Sequence, residues 1–182
     1  MQKCLIVVDY QVDFVTGPLG FPGAAALDAV ISEKIAVYRN RKDAVVFTFD
    51  THGENYPYTR EGKLLPVPHC IQGTAGHDLF GNVGKIIRPR DKRFYKNTFG
   101  SGELYEYLKI TPFSEIELVG LVSNICVLAN AILVRTAQPE TPVTVDAACT
   151  AGPDNSLHLA AMDVMEALQI AVINRGRDEH AQ

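Results

Sequence analysis

Short apolar runs punctuate the chain at Cys4–Val8, Ala44–Phe49, Lys85–Ile87, Ile116–Leu121, Val143–Val145 and Ile170–Ile173. They are rich in Val and Ile and too short for helices, as expected of strands covered on both faces. Between them, Leu27, Val30, Ile31, Ile35 and Tyr38, and again Leu157, Ala160, Ala161, Val164, Met165 and Leu168, follow i, i+3, i+4 spacing, which marks one face of a helix. Strand and helix alternate, which predicts an α/β fold of three layers, α/β/α, around a mainly parallel six-stranded sheet. Functional groups in such sheets gather beyond the carboxyl ends of the strands. Three ends stand out: Asp9 after the first strand, Asp50 after the second, and the turn with Cys126 after the fourth. The stretch from Thr51 to Gly84 is rich in Gly, Pro and polar residues. It is longer than an ordinary connection and reads as an active-site loop.

Composition narrows the function classes. The chain has 182 residues, the size of one domain, and a single domain over 1–182 is expected, without repeats or low-complexity tracts. A net charge of -4, with 47% hydrophobic and 21% charged residues, offers no basic field for nucleic acid. Met1-Gln2-Lys3 leads directly into Cys4–Val8, which is no signal peptide, and no apolar stretch reaches membrane-spanning length. A cytoplasmic protein without a membrane partner is expected. The four cysteines, at 4, 70, 126 and 149, lack C-x-x-C spacing, and reduced thiols are expected in that setting.

Cys126 has the most reactive address. The run Ile116–Leu121 reads as a buried strand, Gly120 to Asn124 as a turn, and Val127 to Thr136 as a helix. Free N–H groups at the helix start favour a thiolate, although a free cysteine also packs well as a small apolar residue. Asp9, at a strand end, suits a proton-shuttling carboxylate or a turn-capping one. Lys96, framed by Phe94, Tyr95 and Phe99, is a candidate cation, with Lys92 as a rival. In Asp50-Thr51-His52 both side chains of an extended Asp-x-His point to one face. With Glu61 and His69 they have the ligand types of a Zn²⁺, Fe²⁺ or Mn²⁺ site. The alternative is a pair of loop histidines bonded to backbone.

Five segments in order, Val8–Phe14, Asp50–His52, Pro68–Thr74, Lys96–Phe99 and Leu121–Val127, resemble the isochorismatase-like cysteine hydrolases, and among them the nicotinamidase branch. The resemblance implies a catalytic triad at Asp9, Lys96 and Cys126. Lys96 is favoured over Lys92 because Phe99 and then Gly100-Ser101 follow it as the family pattern asks. The resemblance further implies a divalent metal, zinc first, on Asp50, His52 and His69, with Glu61 as an added carboxylate. A cis peptide at Leu121–Val122 would let the Val122 and Cys126 N–H groups form an oxyanion hole. Phe14, Phe21 and Tyr95 are candidates for an aromatic substrate pocket, or for core packing. The implied reaction converts nicotinamide to nicotinate and ammonia through a cysteine thioester, as in NAD salvage, and leaves room for a homo-oligomer. The alternatives are another small amide, ureide or isochorismate-like substrate, or a non-catalytic binding member. Ser123-Asn124 stands where many members carry Thr-Asp, so an acid beside the nucleophile is missing. Asp154 or Ser156 is expected to cap the last helix.

Overall fold

The computed structural model describes residues 1–176, so the expected domain over 1–182 reaches past the described residues. Six strands form one sheet: β1 Cys4–Val8, β2 Ala44–Asp50, β3 Lys92–Lys96, β4 Ile116–Leu121, β5 Val143–Ala151 and β6 Ala171–Ile173. Their order is β3-β2-β1-β4-β5-β6, and every pairing is parallel. The helices are α1 Val12–Val15, α2 Leu27–Asn40, α3 Arg60–Leu64, α4 Gly81–Ile86, α5 Gly102–Ile110, α6 Leu128–Ala137 and α7 Asn155–Ala167. None is long and apolar enough to cross a membrane.

β1 is buried along its whole length and divides the core by the two-residue period of a strand. Leu5 and Val7 pack with Ile31, Ile35 and Tyr38 of α2, while Cys4, Ile6 and Val8 pack with Leu104, Val134 and Met162 from α5, α6 and α7. From β1 the chain builds outward through β2 to β3, then crosses back to lay β4 on the other side of β1. That reversal opens a crevice at the carboxyl ends of β1 and β4, the usual ligand site of an open parallel sheet. Gly120 tightens it. Its φ is +115°, and a Cβ there would lie 2.0 Å from the Val8 carbonyl oxygen.

The structure revises several boundaries. Lys85–Ile87 is not a strand: Lys85 and Ile86 end α4. The Asp28 carboxylate from α2 accepts the Asn82 and Val83 N–H groups at 2.9 and 3.0 Å, which caps α4 at its start. The third strand is Lys92–Lys96, whose charged residues hide an alternation in which Phe94 and Lys96 point inward. β5 extends to Ala151 because a register shift opposite Leu118 and Gly120 accommodates its polar middle. Gly120 belongs to β4 and not to the turn. The turn itself is a single π-helical turn over Ser123–Val127 that runs into α6, so Cys126 lies inside the helical start and not ahead of it. The Thr51–Gly84 stretch is folded, with short helical turns at Tyr56–Tyr58 and Ala75–His77, α3, and the first residues of α4. Asp154 caps α7, accepting the Ser156 and Leu157 N–H groups.

Candidate active site

Asp9 leaves β1 with φ +44°, a left-handed conformation that Asp tolerates better than most residues. It is fully buried, and Thr48 on β2 donates its hydroxyl to Oδ1 at 2.6 Å. Lys96 Nζ lies 2.6 Å from the other oxygen, Oδ2. That contact pairs a buried carboxylate directly with a buried ammonium. The same ammonium is 3.5 Å from Cys126 Sγ and 3.5 Å from Asp50 Oδ1. Strand geometry separates the two lysines. Lys92 and Lys96 share a face of β3, but Lys92 is four residues nearer the amino end and its Nζ sits over the Tyr107 ring.

Burial governs the charges. It pushes the Asp9 carboxyl up, against the Lys96 charge that lowers it, and Asp50 adds to the rise. It also pushes the Cys126 thiol well up, with Asp9 and Asp50 outweighing Lys96. Burial beside two carboxylates thus opposes the thiolate that helix position alone favours. Burial works against the Lys96 ammonium, yet Asp9, Cys126 and Asp50 together hold it above the ordinary lysine value. The thiol therefore lies beside a carboxylate whose proton affinity is raised and a fixed cation. Such a set can generate a thiolate by transferring the proton to Asp9.

Beside this group, Asp50 Oδ2 lies 3.0 Å from His52 Nε2 and 3.2 Å from His69 Nε2. All three side chains are buried, and one ligand atom from each lies within 4.8 Å of the others. His69 Nδ1–H donates to the Val67 carbonyl at 2.8 Å, which fixes the ring and turns Nε2 towards Asp50. Burial raises and the two imidazoles and Lys96 lower the Asp50 carboxyl, which falls well below the ordinary range. Two imidazoles and a carboxylate converging in a buried place fit a divalent cation. Glu61 Oε1 stands further out, 3.9 Å from His52 Nε2 and 3.7 Å from His69 Nε2.

Both groups open onto one cavity of about 170 Å³, lined by Phe14, Leu19, Asp50, Glu61, Leu65, His69, Phe99, Val122, Ile125, Cys126 and Pro153. Larger surface grooves, one of about 480 Å³ along Arg39, Lys42, Arg88 and Arg90, hold none of these side chains. The chain matches the isochorismatase domain family over residues 3–176. It belongs to the isochorismatase family. An uncharacterized isochorismatase family protein, PncA, of Bacillus subtilis (strain 168) is 33% identical over 144 residues, covering 72% of this chain and 78% of that protein. The pyrazinamidase/nicotinamidase of Streptococcus mutans UA159 superposes with a TM-score of 0.84 at 28% identity, over 94% of this chain and 100% of that one. A pyrazinamidase of Pyrococcus horikoshii, solved in complex with zinc, shares the fold at a TM-score of 0.81 and 22% identity, over 95% of this chain and 99% of that one.

Within this isochorismatase-family chain, the residues expected to act together are adjacent: Asp9, Lys96 and Cys126 on one side, Asp50, His52 and His69 on the other. The Leu121–Val122 peptide is cis, and Val122 and Cys126 both border the cavity. Of the three aromatics expected there, only Phe14 lines it. Tyr95 lies on the opposite face of β3 from Lys96, half-exposed against Phe49 and His77, as strand alternation requires. Phe21 packs instead on the core that Leu5 and Val7 share with α2.

The structure adds polar clamps that sequence reading missed. Gln11 accepts the Asp50 N–H at 2.8 Å and donates to the Asp50 carbonyl at 2.9 Å. Asp13 accepts the Cys70 N–H at 2.7 Å, holding the turn after His69, where Cys70 has φ +46°. The buried Asn130 of α6 donates to the carbonyls of Cys126 and Phe99 and accepts the Ser101 N–H, at 2.8, 3.1 and 3.0 Å. It therefore ties the cysteine turn to the loop that follows Lys96. Gln11 and Asp13 sit at alternate positions after Asp9, and that spacing was the available signal.

Proposed function

We propose that this isochorismatase-family chain is a nicotinamidase-type amidohydrolase, converting nicotinamide to nicotinate and ammonia as in cytoplasmic NAD salvage. The observation that carries this reading is the Lys96 ammonium between Asp9 and Cys126, beside three metal-type ligands on the same small cavity. The apolar walls Phe14, Leu19, Leu65, Phe99 and Ile125 suit a flat neutral ring. Among the described residues that line it, there is no Lys or Arg to pair with an isochorismate-like dianion.

In the proposed reaction, Asp9 takes the proton from Cys126 Sγ while Lys96 holds the thiolate. The sulfur attacks the carboxamide carbon, and the developing oxyanion meets the N–H groups of Val122 and Cys126. Asp9 then passes its proton to the nitrogen, and ammonia leaves a thioester on Cys126. Asp9 next takes a proton from water as it attacks the thioester carbon, and the sulfur departs with nicotinate formed. Asp50, His52 and His69, with Glu61 as a further carboxylate, would hold a divalent metal, zinc first and Fe²⁺ or Mn²⁺ as chemical alternatives. When bound, that metal supplies a Lewis-acid anchor for a ring nitrogen. Phe14 and His69 line the wall that orients the ring.

The test is ammonia release across a panel of small amides by metal-loaded protein, with Cys126→Ala as control. Release from nicotinamide that Cys126→Ala abolishes is expected. A well-folded, zinc-loaded chain that releases ammonia from none of the panel defeats the reading.

A further inference from the structure

The turn carrying Cys126 is fixed from behind by a polar pair that the proposed acid–base chemistry does not use. Ser123, next to Val122, is fully buried, and its Oγ lies 3.0 Å from His158 Nδ1. His158 is half-buried in the first turn of α7, its N–H bonded to the Asp154 carbonyl at 3.0 Å. Neither Ser123 nor His158 lines the cavity. The end of β5 presses on the same turn: a Cβ on Gly152 would stand 3.0 Å from Asn124 Oδ1 and 3.3 Å from Ser123 Oγ.

Asn124 does not tie the turn, since its buried Oδ1 has no hydrogen-bond partner. Within the turn, the N–H groups of Ile125 and Val127 both reach the Val122 carbonyl, at 3.1 and 3.2 Å. Among the described residues, the Ser123–His158 pair is the side-chain hydrogen bond that joins this turn to α7.

We propose that His158, acting through Ser123, is a positioning residue that holds Val122 and Cys126 in the register needed by the tetrahedral oxyanion. The inference rests on the amidohydrolase reading above. Both N–H donors belong to residues at or next to the two ends of one short turn, so a shift of Ser123 moves them relative to the sulfur. Misplacement of about 1 Å can cost on the order of 10²-fold in rate. A contact that acts on transition-state geometry lowers kcat, and KM stays near its starting value when substrate contacts are untouched.

The test compares wild type, Ser123→Ala, His158→Leu, the double variant, and His158→Asn, whose amide reaches about as far as Nδ1. The single variants are expected to lose about 10- to 100-fold in kcat on nicotinamide, with KM within about two-fold. The double variant should be no worse than either single, and His158→Asn should recover most of the loss. Losses that multiply in the double variant, a change confined to KM, or a His158→Asn variant as poor as His158→Leu would overturn the inference. If wild-type protein releases ammonia from no amide, the amidohydrolase reading fails separately. The inference is then decided by the rate at which p-nitrophenyl nicotinate labels Cys126 as a thioester, a reaction that also passes through a tetrahedral oxyanion, followed by nitrophenolate release. Labelling slowed several-fold in His158→Leu and no further in the double variant supports it, and unchanged labelling overturns it.

Discussion

The same four ingredients occur twice in this molecule, and only one set faces a cavity suited to a small ring. At the carboxyl end of the sheet, Lys96 stands among Asp9, Asp50 and Cys126. On the α2 face, Lys34 pairs with Glu117 and, at 2.5 Å, with Asp146, and Cys149 Sγ lies 3.6 Å from Asp146. The difference lies in the neutral donors. Glu117 also accepts from Tyr38 at 2.6 Å, and Asp146 from Asn174 and the Ala148 N–H, each at 3.0 Å. Burial raises Asp146, but Lys34 and Asn174 outweigh it and hold the carboxyl below its ordinary value. The Asp9 carboxyl moves the other way, with the Thr48 hydroxyl on one oxygen and the Lys96 ammonium at the other. The two clusters thus differ in how many neutral donors hold the acids, and in which of them stands beside a cavity.

Four experiments press on this contrast. Replacing Cys126 with Ala should remove ammonia release by a factor of at least about 10⁴, as loss of a nucleophile does. Replacing Cys149 with Ala, whose thiol burial pushes up to about 12, should leave kcat within about two-fold. Equal losses in the two would end the distinction. Lys96→Met and Lys34→Met should each cost on the order of 3 kcal/mol in denaturant unfolding, because each strands two acids. Only Lys96→Met should also reduce kcat, by about 10³-fold.

Metal content provides the third comparison. His69→Ala should bind zinc far more weakly than wild type when measured by elemental analysis after dialysis, and Asp146→Ala should keep it. Zinc retained by His69→Ala would reject the Asp50–His52–His69 site. The smallest effect is the pH dependence. Asp146 has a depressed folded-state pKa, so its contribution is present above about 3.9 and is lost as pH falls through the folded value. Wild type should therefore lose its advantage over Asp146→Asn on acidification. Asp9 has a raised folded-state pKa, so wild type should gain on Asp9→Asn earlier, as pH falls through the folded value towards about 3.9. Urea midpoints at pH 7, about pH 4 and about pH 2 separate the two signs, the Asp9 change falling in the upper interval and the Asp146 change in the lower.

Much of this site was legible because parallel strands write plainly. Continuous runs such as Cys4–Val8 and Ile116–Leu121 announce burial on both faces, and the polar residue that ends each run marks the functional edge. Asp9 and Asp50 stand out in that way, and Cys126 by the turn and helix start that follow Ile116–Leu121. Lys96 was harder, because β3 is an edge strand whose charged residues mask its alternation, and the apolar Ile86-Ile87 nearby drew the strand assignment instead. The cavity wall was not legible. Leu19, Leu65, Phe99, Ile125 and Pro153 come from five separate segments, and no periodicity links residues that meet only through tertiary packing. Asn130 was hidden for a related reason: a polar residue on an amphipathic helix looks solvent-facing until the partners that bury it are known.

The reversal of strand order at β1 has a consequence for how the chain divides its labour. Everything that would grip a cation or shuttle a proton, from Asp9 through His69 to Lys96, lies in the stretch of chain from the end of β1 to the end of β3, in its strands and the connections between them. The sulfur and the turn around it belong to the half that begins with the return to β4. The candidate site is therefore a seam between two consecutive stretches of sequence, bridged where Lys96 meets Cys126 at 3.5 Å. Mutation can retune the carboxylates and imidazoles on one side of that seam while the scaffold of the cysteine turn is inherited intact on the other.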